Sequence, residues 1–270
     1  MSIKMIAVDM DGTFLNDQKE YNRKRFKRIF HRMKVKGVKF VVASGNQYDQ
    51  LRNYFPVDHS KMSFISDNGA NIIVEGQDYY NAQIPTHNAL EVLKEINDLE
   101  PIVAVICGKK SAYVSKETPD EIFKSIKFNF PKLKKLEKLE DIAQEKDEIL
   151  KFALSFLPSE AKSKLTSLTR SLAGKMSPVS SGYGDIDLII PGVHKAHGLV
   201  KLSNLYLWGI TPSEIAAFGD SGNDIEMLSY VGSSFAMKNA QPEVKNVSNG
   251  IIGSNNHESV LDMMEILLES

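Results

Sequence analysis

Two acids near the start of the chain, Asp9 and Asp11, are the residues best suited to chemistry. They follow the apolar segment Met5–Val8, which predicts a buried strand, and they precede Gly12 and Thr13. In open α/β sheets, ligands bind beyond the carboxyl ends of the strands. Carboxylates are hard oxygen donors for Mg²⁺ and can also attack phosphorus as nucleophiles. The pattern predicts a metal or phosphoryl-transfer site, although Asp, Gly and Thr are also common in turns.

A second cluster of acids and glycines, Gly219–Asp224, follows the apolar segment Ile215–Phe218. It contains Asp220 and Asp224, and taken alone it could be a turn that caps the next helix. In one parallel sheet, however, the ends of the two strands would lie at the same edge. Four carboxylates close together repel strongly unless a cation is present. The two clusters together therefore favour a cation site.

Two further positions could bind an anion. Ser44 and Gly45 follow the predicted strand Val38–Ala43, where a hydroxyl and a free N–H can donate to a phosphate oxygen. Taken alone, Ser44 is better explained as a helix N-cap. Lys195 begins a predicted helix, where a cation gains nothing from the helix dipole and is more useful for an anion. It is one of 33 basic residues, so it carries no signal by itself.

The elements around these residues alternate. Strands at 5–8, 38–43 and 62–66 are separated by a helix over 21–36 and a shorter one through Tyr48, Leu51 and Tyr54. This order predicts an α/β fold with a doubly wound parallel sheet. The alternation returns after residue 186, so residues 1–83 and 187–270 are expected to form one core.

The middle of the chain has a different pattern. Residues 84–186 contain hairpins and strand–helix blocks, which predict an inserted α+β cap domain. Within it, the charged segment 117–147 is expected to be irregular. After Lys195, a helix is expected to continue through Leu205 and Tyr206.

Composition excludes several classes of protein. The 270 residues are 42% hydrophobic and carry a net charge of −1, as expected for a globular protein of one or two domains without a nucleic-acid partner. No apolar run approaches the roughly 18 residues of a membrane span, and no signal peptide is evident, so a cytoplasmic location is expected. Cys107 is the only cysteine, which excludes an intrachain disulfide and a cysteine-based zinc cluster.

These clusters, in this order, resemble the haloacid dehalogenase superfamily of phosphohydrolases. More narrowly, the chain is similar to the Cof-type (subfamily IIB) sugar phosphatases, which carry a large α/β cap. The resemblance covers the whole chain and includes Asn68-Gly69-Ala70 after the third strand. It departs at Asn46, where many relatives have Arg, and at Ala196, where relatives often have Gly.

The resemblance implies roles for the acids. Asp9 would be the nucleophile and a Mg²⁺ ligand. Asp11 would be the general acid/base, with its backbone carbonyl on the metal. Asp220 would be the third protein ligand, and Asp224 would support the water shell of the metal. Contacts to the phosphoryl group of a small phosphate monoester would come from the backbone N–H groups of Met10, Gly12 and Gly45 and from the side chains of Ser44, Lys195 and Asn223.

The expected activity is that of a Mg²⁺-dependent phosphomonoester hydrolase for small phosphorylated metabolites, with sugar phosphates favoured. It would proceed through an aspartyl-phosphate intermediate. Two alternatives stay open: a phosphosugar mutase on the same core, and a non-catalytic sugar-phosphate sensor. A sensor needs no nucleophile, so the motif residues disfavour it.

Overall fold

The computed structural model describes residues 2–204 and 208–269, and these residues form two sheets flanked by helices. The larger sheet has eight strands in the order β14-β13-β12-β1-β2-β3-β4-β5. Its strands are β1 (Met5–Val8), β2 (Lys39–Ala43), β3 (Ser63–Ser66), β4 (Asn71–Val74), β5 (Gln77–Asn81), β12 (Ile215–Gly219), β13 (Ser233–Ala236) and β14 (Gly250–Ile251).

The strands from β14 to β3 are parallel, and β4 and β5 add an antiparallel hairpin at one edge. All four residues of β1 are buried, because helices cover both faces of the sheet and no polar face is exposed. Met5 pairs with Ile215 on one side and with Lys39 on the other, so β1 lies between β12 and β2. The predicted doubly wound α/β core is confirmed.

The described residues contain nine α-helices, none of them long and apolar enough to cross a membrane. The first, α1, buries Phe26, Ile29, Phe30 and Met33 on one face, and Asn22 caps its N-terminus. The helices are α1 (Arg23–Val35), α2 (Tyr48–Tyr54), α3 (Thr86–Asn97), α4 (Asp120–Ile126), α5 (Ala161–Ser171), α6 (Lys195–Ser203), α7 (Ile225–Tyr230), α8 (Pro242–Val247) and α9 (Ser259–Leu267).

The second sheet has six strands in the order β10-β11-β9-β6-β7-β8. All its pairs are antiparallel except β7 with β8. Leu93 of α3 and Leu168 of α5 belong to the apolar cluster on one face of this sheet, and Phe123 of α4 packs against the other face. The strands are β6 (Val103–Gly108), β7 (Ala112–Ser115), β8 (Leu133–Leu136), β9 (Ile149–Ser155), β10 (Ser177–Gly182) and β11 (Asp185–Ile189).

The expectation that 117–147 is irregular is wrong, because this segment contains α4 and β8. Helix α4 has only seven residues, none of them fully buried, so its apolar periodicity is weak. In β8, Leu133 and Leu136 are buried on either side of two exposed lysines, which breaks the period-two pattern of a half-buried strand.

The strand near residue 187 lies in the second sheet. Strand β11 pairs with β9 and β10, and Leu188 is buried in the apolar cluster of that sheet. The expected boundary between residues 186 and 187 therefore falls inside a strand, and the second sheet extends to Ile189. Leu205 and Tyr206, expected on a helix, lie outside the described residues, and the described part of that helix is α6.

Candidate active site

The carboxyl ends of β1 and β12 bring the two acidic clusters together. The Asp9 N–H donates to the Phe218 carbonyl at 3.0 Å, which aligns the two strand ends. Carboxylate oxygens of Asp9, Asp220 and Asp224 lie within 4.8 Å of one another, and all three side chains are buried. Asp9 thus shares one site with Asp220 and Asp224, which follow it in the sequence by at least 211 positions, because their strands are neighbours.

Lys195 lies inside this cluster and is fully buried. Its Nζ is 2.6 Å from Asp9 Oδ1 and 2.7 Å from Asp224 Oδ1. Burial alone would lower the pKa of Lys195, but Asp224 and Asp9 outweigh it and raise that pKa above its ordinary value. The lysine is therefore a fixed positive charge beside the expected nucleophile.

Helix α6 holds Lys195 in place by packing closely on β3. A Cβ at Gly198 would lie 2.6 Å from Ile65 Cγ2, so a glycine here allows the close approach of helix and strand.

Two acids of this cluster, Asp9 and Asp220, hold their protons unusually tightly. Burial raises the pKa of Asp9 well above its ordinary value; Lys195 opposes this rise, whereas Asp224 and Asp220 add to it. Burial, followed by Asp224, raises the pKa of Asp220 to about 6. Burial is the main cause of both pKa shifts, and negative charge that a single ammonium does not balance adds to it. A divalent cation among these oxygens would favour the ionised form that a nucleophile needs.

The donor set fits Mg²⁺. The cluster offers hard carboxylate oxygens, the ligands that Mg²⁺ prefers, and three carboxylates exceed the one ammonium by two charges. Both oxygens of Asp224 are engaged, Oδ1 by Lys195 and Oδ2 by the N–H groups of Asp220 and Ser221 at 3.0 and 3.1 Å. Asp224 is thus suited to supporting the site, whereas Asp9 keeps Oδ2 for a ligand.

Gly12 makes room for Asp220. A Cβ at position 12 would lie 2.6 Å from Asp220 Oδ2, and its φ of +77° is in the region that favours glycine. Thr13 donates to Asp220 Oδ1 at 2.8 Å. The side chain of Met10 is fully buried in the core, so this residue can offer the site only its backbone.

Asp11 points away from the carboxylate cluster, toward the mouth of the cleft. Its Oδ1 is 2.6 Å from Lys19 Nζ, and its Oδ2 accepts from Asn46 Nδ2 at 2.6 Å. This placement agrees with the roles that the resemblance implies, in which the Asp11 carboxylate transfers protons and only its backbone carbonyl binds the metal. Neither Lys19 nor Asn46 was expected to contact it.

The end of β2 places Ser44 beside the cluster. Ser44 Oγ accepts from the Asn46 N–H at 3.1 Å. The N-cap position of α2 is Gln47, whose side chain makes no capping hydrogen bond, so Ser44 does not cap that helix. Asn223 Nδ2 donates to Asn68 Oδ1 at 3.0 Å.

A cleft of about 260 Å³ separates the two sheets at this point. The larger sheet contributes the expected site residues Asp9, Asp11, Ser44, Gly45 and Asn223. The second sheet and its flanking segments contribute Val103, Val105, Ile126, Asn129, Phe130, Lys151, Ser155, Ser181, Tyr183, Asp185 and Asp187.

Sequence reasoning missed three residues that meet at the back of this cleft. Lys151 and Asp187 form a buried ion pair of 2.6 Å within the second sheet, and Asn68 Nδ2 donates to Asp187 Oδ2 at 2.6 Å. The Asn-Gly pair after the third strand was the only available signal, and it did not reveal these partners. A lysine and an aspartate on separate strands give no sequence pattern.

A doubly wound core with buried acids at its strand ends, covered by an inserted sheet, is the architecture of a capped phosphohydrolase. Residues 6–264 match the family of haloacid dehalogenase-like hydrolases. The chain belongs to this family, and it is a phosphatase.

Individual relatives agree with this assignment. The chain is 41% identical over 269 residues to the 5-amino-6-(5-phospho-D-ribitylamino)uracil phosphatase YbjI of Escherichia coli K12, covering 100% of this chain and 97% of that protein. It is similar to the crystal structure of SMU.1108c from Streptococcus mutans UA159, with a TM-score of 0.93, 33% identity and full coverage of both chains. The subclass IIB sugar phosphatase BT4131 shares the fold, with a TM-score of 0.80, 19% identity and coverage of 97% and 98%.

Proposed function

We propose that this phosphatase is a Mg²⁺-dependent phosphomonoester hydrolase that works through a phosphorylated Asp9. The observation that carries the proposal is the position of Asp9, which is buried at a strand end, bonded to Lys195 at 2.6 Å and grouped with Asp220 and Asp224. A carboxylate in this setting can attack phosphorus while its surroundings balance the charge.

The chemistry divides into two transfers. A carboxylate oxygen of Asp9 attacks phosphorus, the bond from phosphorus to the ester oxygen breaks, and Asp11 gives the leaving alkoxide its proton. Asp11 then takes a proton from water as the water oxygen attacks phosphorus. This second step releases inorganic phosphate and restores Asp9.

The surrounding residues position the phosphoryl group and balance its charge. Lys195 stabilises negative charge that develops on the phosphoryl oxygens, and Ser44 and the Gly45 N–H hold one of them. Asp9 and Asp220 would hold Mg²⁺, which when bound supplies further positive charge to the transferring group. Lys19 and Asn46 keep the Asp11 carboxyl at the cleft mouth, where the leaving group departs.

The cleft walls support a substrate with both hydroxyls and an apolar or ring-like part. Phe130 and Tyr183 offer aromatic surface, whereas Lys151, Ser155 and Asp185 offer polar groups that can bond hydroxyls. We propose polyol and sugar phosphates as the substrate class. The 41% identity to YbjI supports 5-amino-6-(5-phospho-D-ribitylamino)uracil as the first compound to test.

The test is phosphate release from a panel of esters, including that compound, a pentose phosphate, a hexose phosphate and nitrophenyl phosphate. Wild-type protein with Mg²⁺ should hydrolyse several of them and form an acid-stable, base-labile phosphoryl-protein during turnover. Asp9→Asn should show neither activity nor label. Asp58→Asn, which changes a carboxylate on the surface loop before β3, is the control and should keep both. A labelled or fully active Asp9→Asn protein would rule out a mechanism through phosphorylated Asp9.

A further inference from the structure

The back wall of the cleft is a chain of hydrogen bonds that joins the two sheets. Lys151 Nζ lies 2.6 Å from Asp187 Oδ1, Asn68 Nδ2 donates to Asp187 Oδ2 at 2.6 Å, and Asn223 Nδ2 donates to Asn68 Oδ1 at 3.0 Å. Ser181 Oγ also donates to Asp187 Oδ2, at 3.0 Å. The four side chains that these bonds join in series are each at most 7% exposed: Lys151, Asp187, Asn68 and Asn223. Bonds this well shielded from water are strong and directional.

Asn68 is the central member of this network. Its side chain uses the amide N–H toward the second sheet and the amide oxygen toward Asn223, so it needs a donor and an acceptor at once. Its backbone N–H donates to the Ser44 carbonyl at 3.0 Å. One residue therefore contacts two of the proposed phosphate-binding residues and an acid of the cap.

The backbone at Asn68 is held in an uncommon conformation. Asp67 and Asn68 have φ angles of +51° and +55°, and Gly69 follows at +101°. Two consecutive non-glycine residues with positive φ cost free energy, about 1–3 kcal/mol each, and such strain occurs where surrounding structure fixes a side chain for a purpose. Here the conformation aims the Asn68 amide between Asp187 and Asn223.

The phosphate-binding loop is fitted against the same network. A Cβ at Gly45 would lie 2.9 Å from Asp187 Oδ2 and 3.3 Å from Asn68 Nδ2. The absence of a side chain at Gly45 therefore lets the Asn68–Asp187 bond lie directly behind the loop that carries Ser44.

We infer that Asn68 is a positioning residue for phosphoryl transfer, and that Asp187 of the cap is its anchor. By this inference the cap does more than choose the substrate: through Asp187 it fixes Asn68, and Asn68 fixes Asn223 and the Ser44 loop around the phosphoryl group. Asn68 and Asp187 act through these residues and not on the reacting atoms. The inference rests on the proposed phosphatase site and adds residues that the motif resemblance left without a role.

The experiment is a charge-conserving exchange of the two partners. Asn68→Asp places two carboxylates where an amide and a carboxylate now meet, so the pair repels. The double variant Asn68→Asp/Asp187→Asn restores a donor and an acceptor, with the amide oxygen at 187 still available to Lys151. We expect Asn68→Asp to lower kcat by about 10²-fold and to weaken inhibition by inorganic phosphate, since misplacement by 1 Å costs about this much. The exchange should recover kcat to within about tenfold of wild type.

A matched control separates phosphate positioning from simple attachment of the cap. Gln47 is also a buried amide that joins the two parts of the chain, since its Nε2 donates to the Gly108 carbonyl at 2.9 Å, but it does not line the cleft. Gln47→Ala should lower the melting temperature with kcat within about threefold of wild type, whereas Asn68→Ala should lower kcat at least about tenfold. If Asn68→Asp does not fold, Asn68→Ala tests the positioning role in its place.

The activity of wild type distinguishes failure of the proposed function from failure of the positioning role of Asn68. An inactive wild type on every ester would contradict the proposed function itself. If wild type is active, three results would overturn the positioning role: a folded Asn68→Ala protein with wild-type kcat, equal losses of kcat in Gln47→Ala and Asn68→Ala, or a stable exchange variant no more active than Asn68→Asp.

Discussion

Lys195 Nζ bridges Asp9 Oδ1 and Asp224 Oδ1 at 2.6 and 2.7 Å, with no exposed surface of its own. A buried ion pair is stable only while its partners remain, because a lone buried charge is costly. Lys195 thus links Asp9, the proposed nucleophile, to the loop that carries Asp220. It balances part of the charge before substrate arrives.

Replacing Lys195 by methionine should disable the enzyme. Methionine fills similar volume without charge, so the phosphoryl oxygens and Asp9 lose a counter-charge, and kcat should fall by about 10²–10³-fold. Steady-state kinetics with nitrophenyl phosphate at saturating Mg²⁺ measure the effect. Lys201→Met, on the same helix but packed over Tyr80, is the control and should be nearly as active as wild type. A Lys195→Met protein within about tenfold of wild type would contradict this role.

Removal of metal should abolish turnover and lower stability. A ligand that binds only the folded state raises its free energy of unfolding, so Mg²⁺ should raise the melting temperature of wild type and chelator should reverse this. Asp220→Asn removes one anionic ligand and should need about tenfold more Mg²⁺ for both effects. Asp17→Asn changes an exposed acid bonded to Asn255 and should respond as wild type does. Full activity in excess chelator after metal removal would exclude the metal requirement.

The proposed acid/base role of Asp11 predicts a dependence on the leaving group. Asp11→Asn should slow hydrolysis of a sugar or polyol phosphate by about 10²–10⁴-fold, because the alkoxide then leaves without a proton. Nitrophenolate is a better leaving group that needs no proton, so the loss should be smaller with nitrophenyl phosphate. Asn46→Ala removes only the hydrogen bond to Asp11 Oδ2 and should change both rates by less. Equal losses of Asp11→Asn activity on both esters would argue against proton transfer by Asp11.

Asp67 should make the stability of the protein depend on pH. Burial raises its pKa from 3.8 to about 7, against the attraction of Lys151, while Asp187 and Asp49 add to the rise. The folded state therefore holds a proton that the unfolded state releases. The stability gained this way is complete below about pH 4 and is lost as pH rises through 7.

The Asp67→Asn variant has no side chain at this position that can titrate. The free energy of unfolding of this variant should therefore rise relative to that of wild type as pH rises. The advantage in free energy of unfolding should grow by at most about 3 kcal/mol between pH 5 and 8. Denaturant unfolding at the two pH values measures it. Asp78→Asn is the control, because Asp78 is an exposed acid and lines, together with Asp67, a second cavity apart from the cleft. If wild type and Asp67→Asn keep a constant difference across this range, Asp67 does not titrate there.

How far the sequence predicts this molecule depends on the range of the contacts involved. Asp9 and Asp220 were placed correctly at neighbouring strand ends because each follows a short apolar run, a local signal. Asp187 was assigned to the core although β11 belongs to the second sheet, because a strand's own residues do not state which strands it pairs with. The Lys151–Asp187–Asn68 contacts join three distant segments, and nothing local marks them.

The division into core and cap, expected from the order of motifs, can be tested by removing the insert. The proposed site residues Asp9, Ser44, Lys195 and Asp220 all lie outside residues 84–189. The strands before and after this segment, β1–β5 and β12–β14, belong to one sheet. A chain with a Gly/Ser linker in place of 84–189 should fold and hydrolyse nitrophenyl phosphate weakly, because water exclusion, positioning and the Asp187 anchor are lost. Its preference among sugar and polyol phosphates should collapse, since Phe130, Tyr183 and Asp185 are gone.

The matched variant removes only 84–186, the boundary expected from the sequence. It leaves Leu188 and Ile189, which are 0% and 4% exposed in the whole protein, without the sheet that covers them. Exposed apolar side chains of this size promote association, so this chain should be less stable and more prone to aggregate than the one lacking 84–189. Melting temperature and light scattering distinguish the two. If the shortened core folds but ranks its substrates as the full protein does, specificity belongs to the core, and Ser44, Gly45 and Asn46 become the residues to vary first.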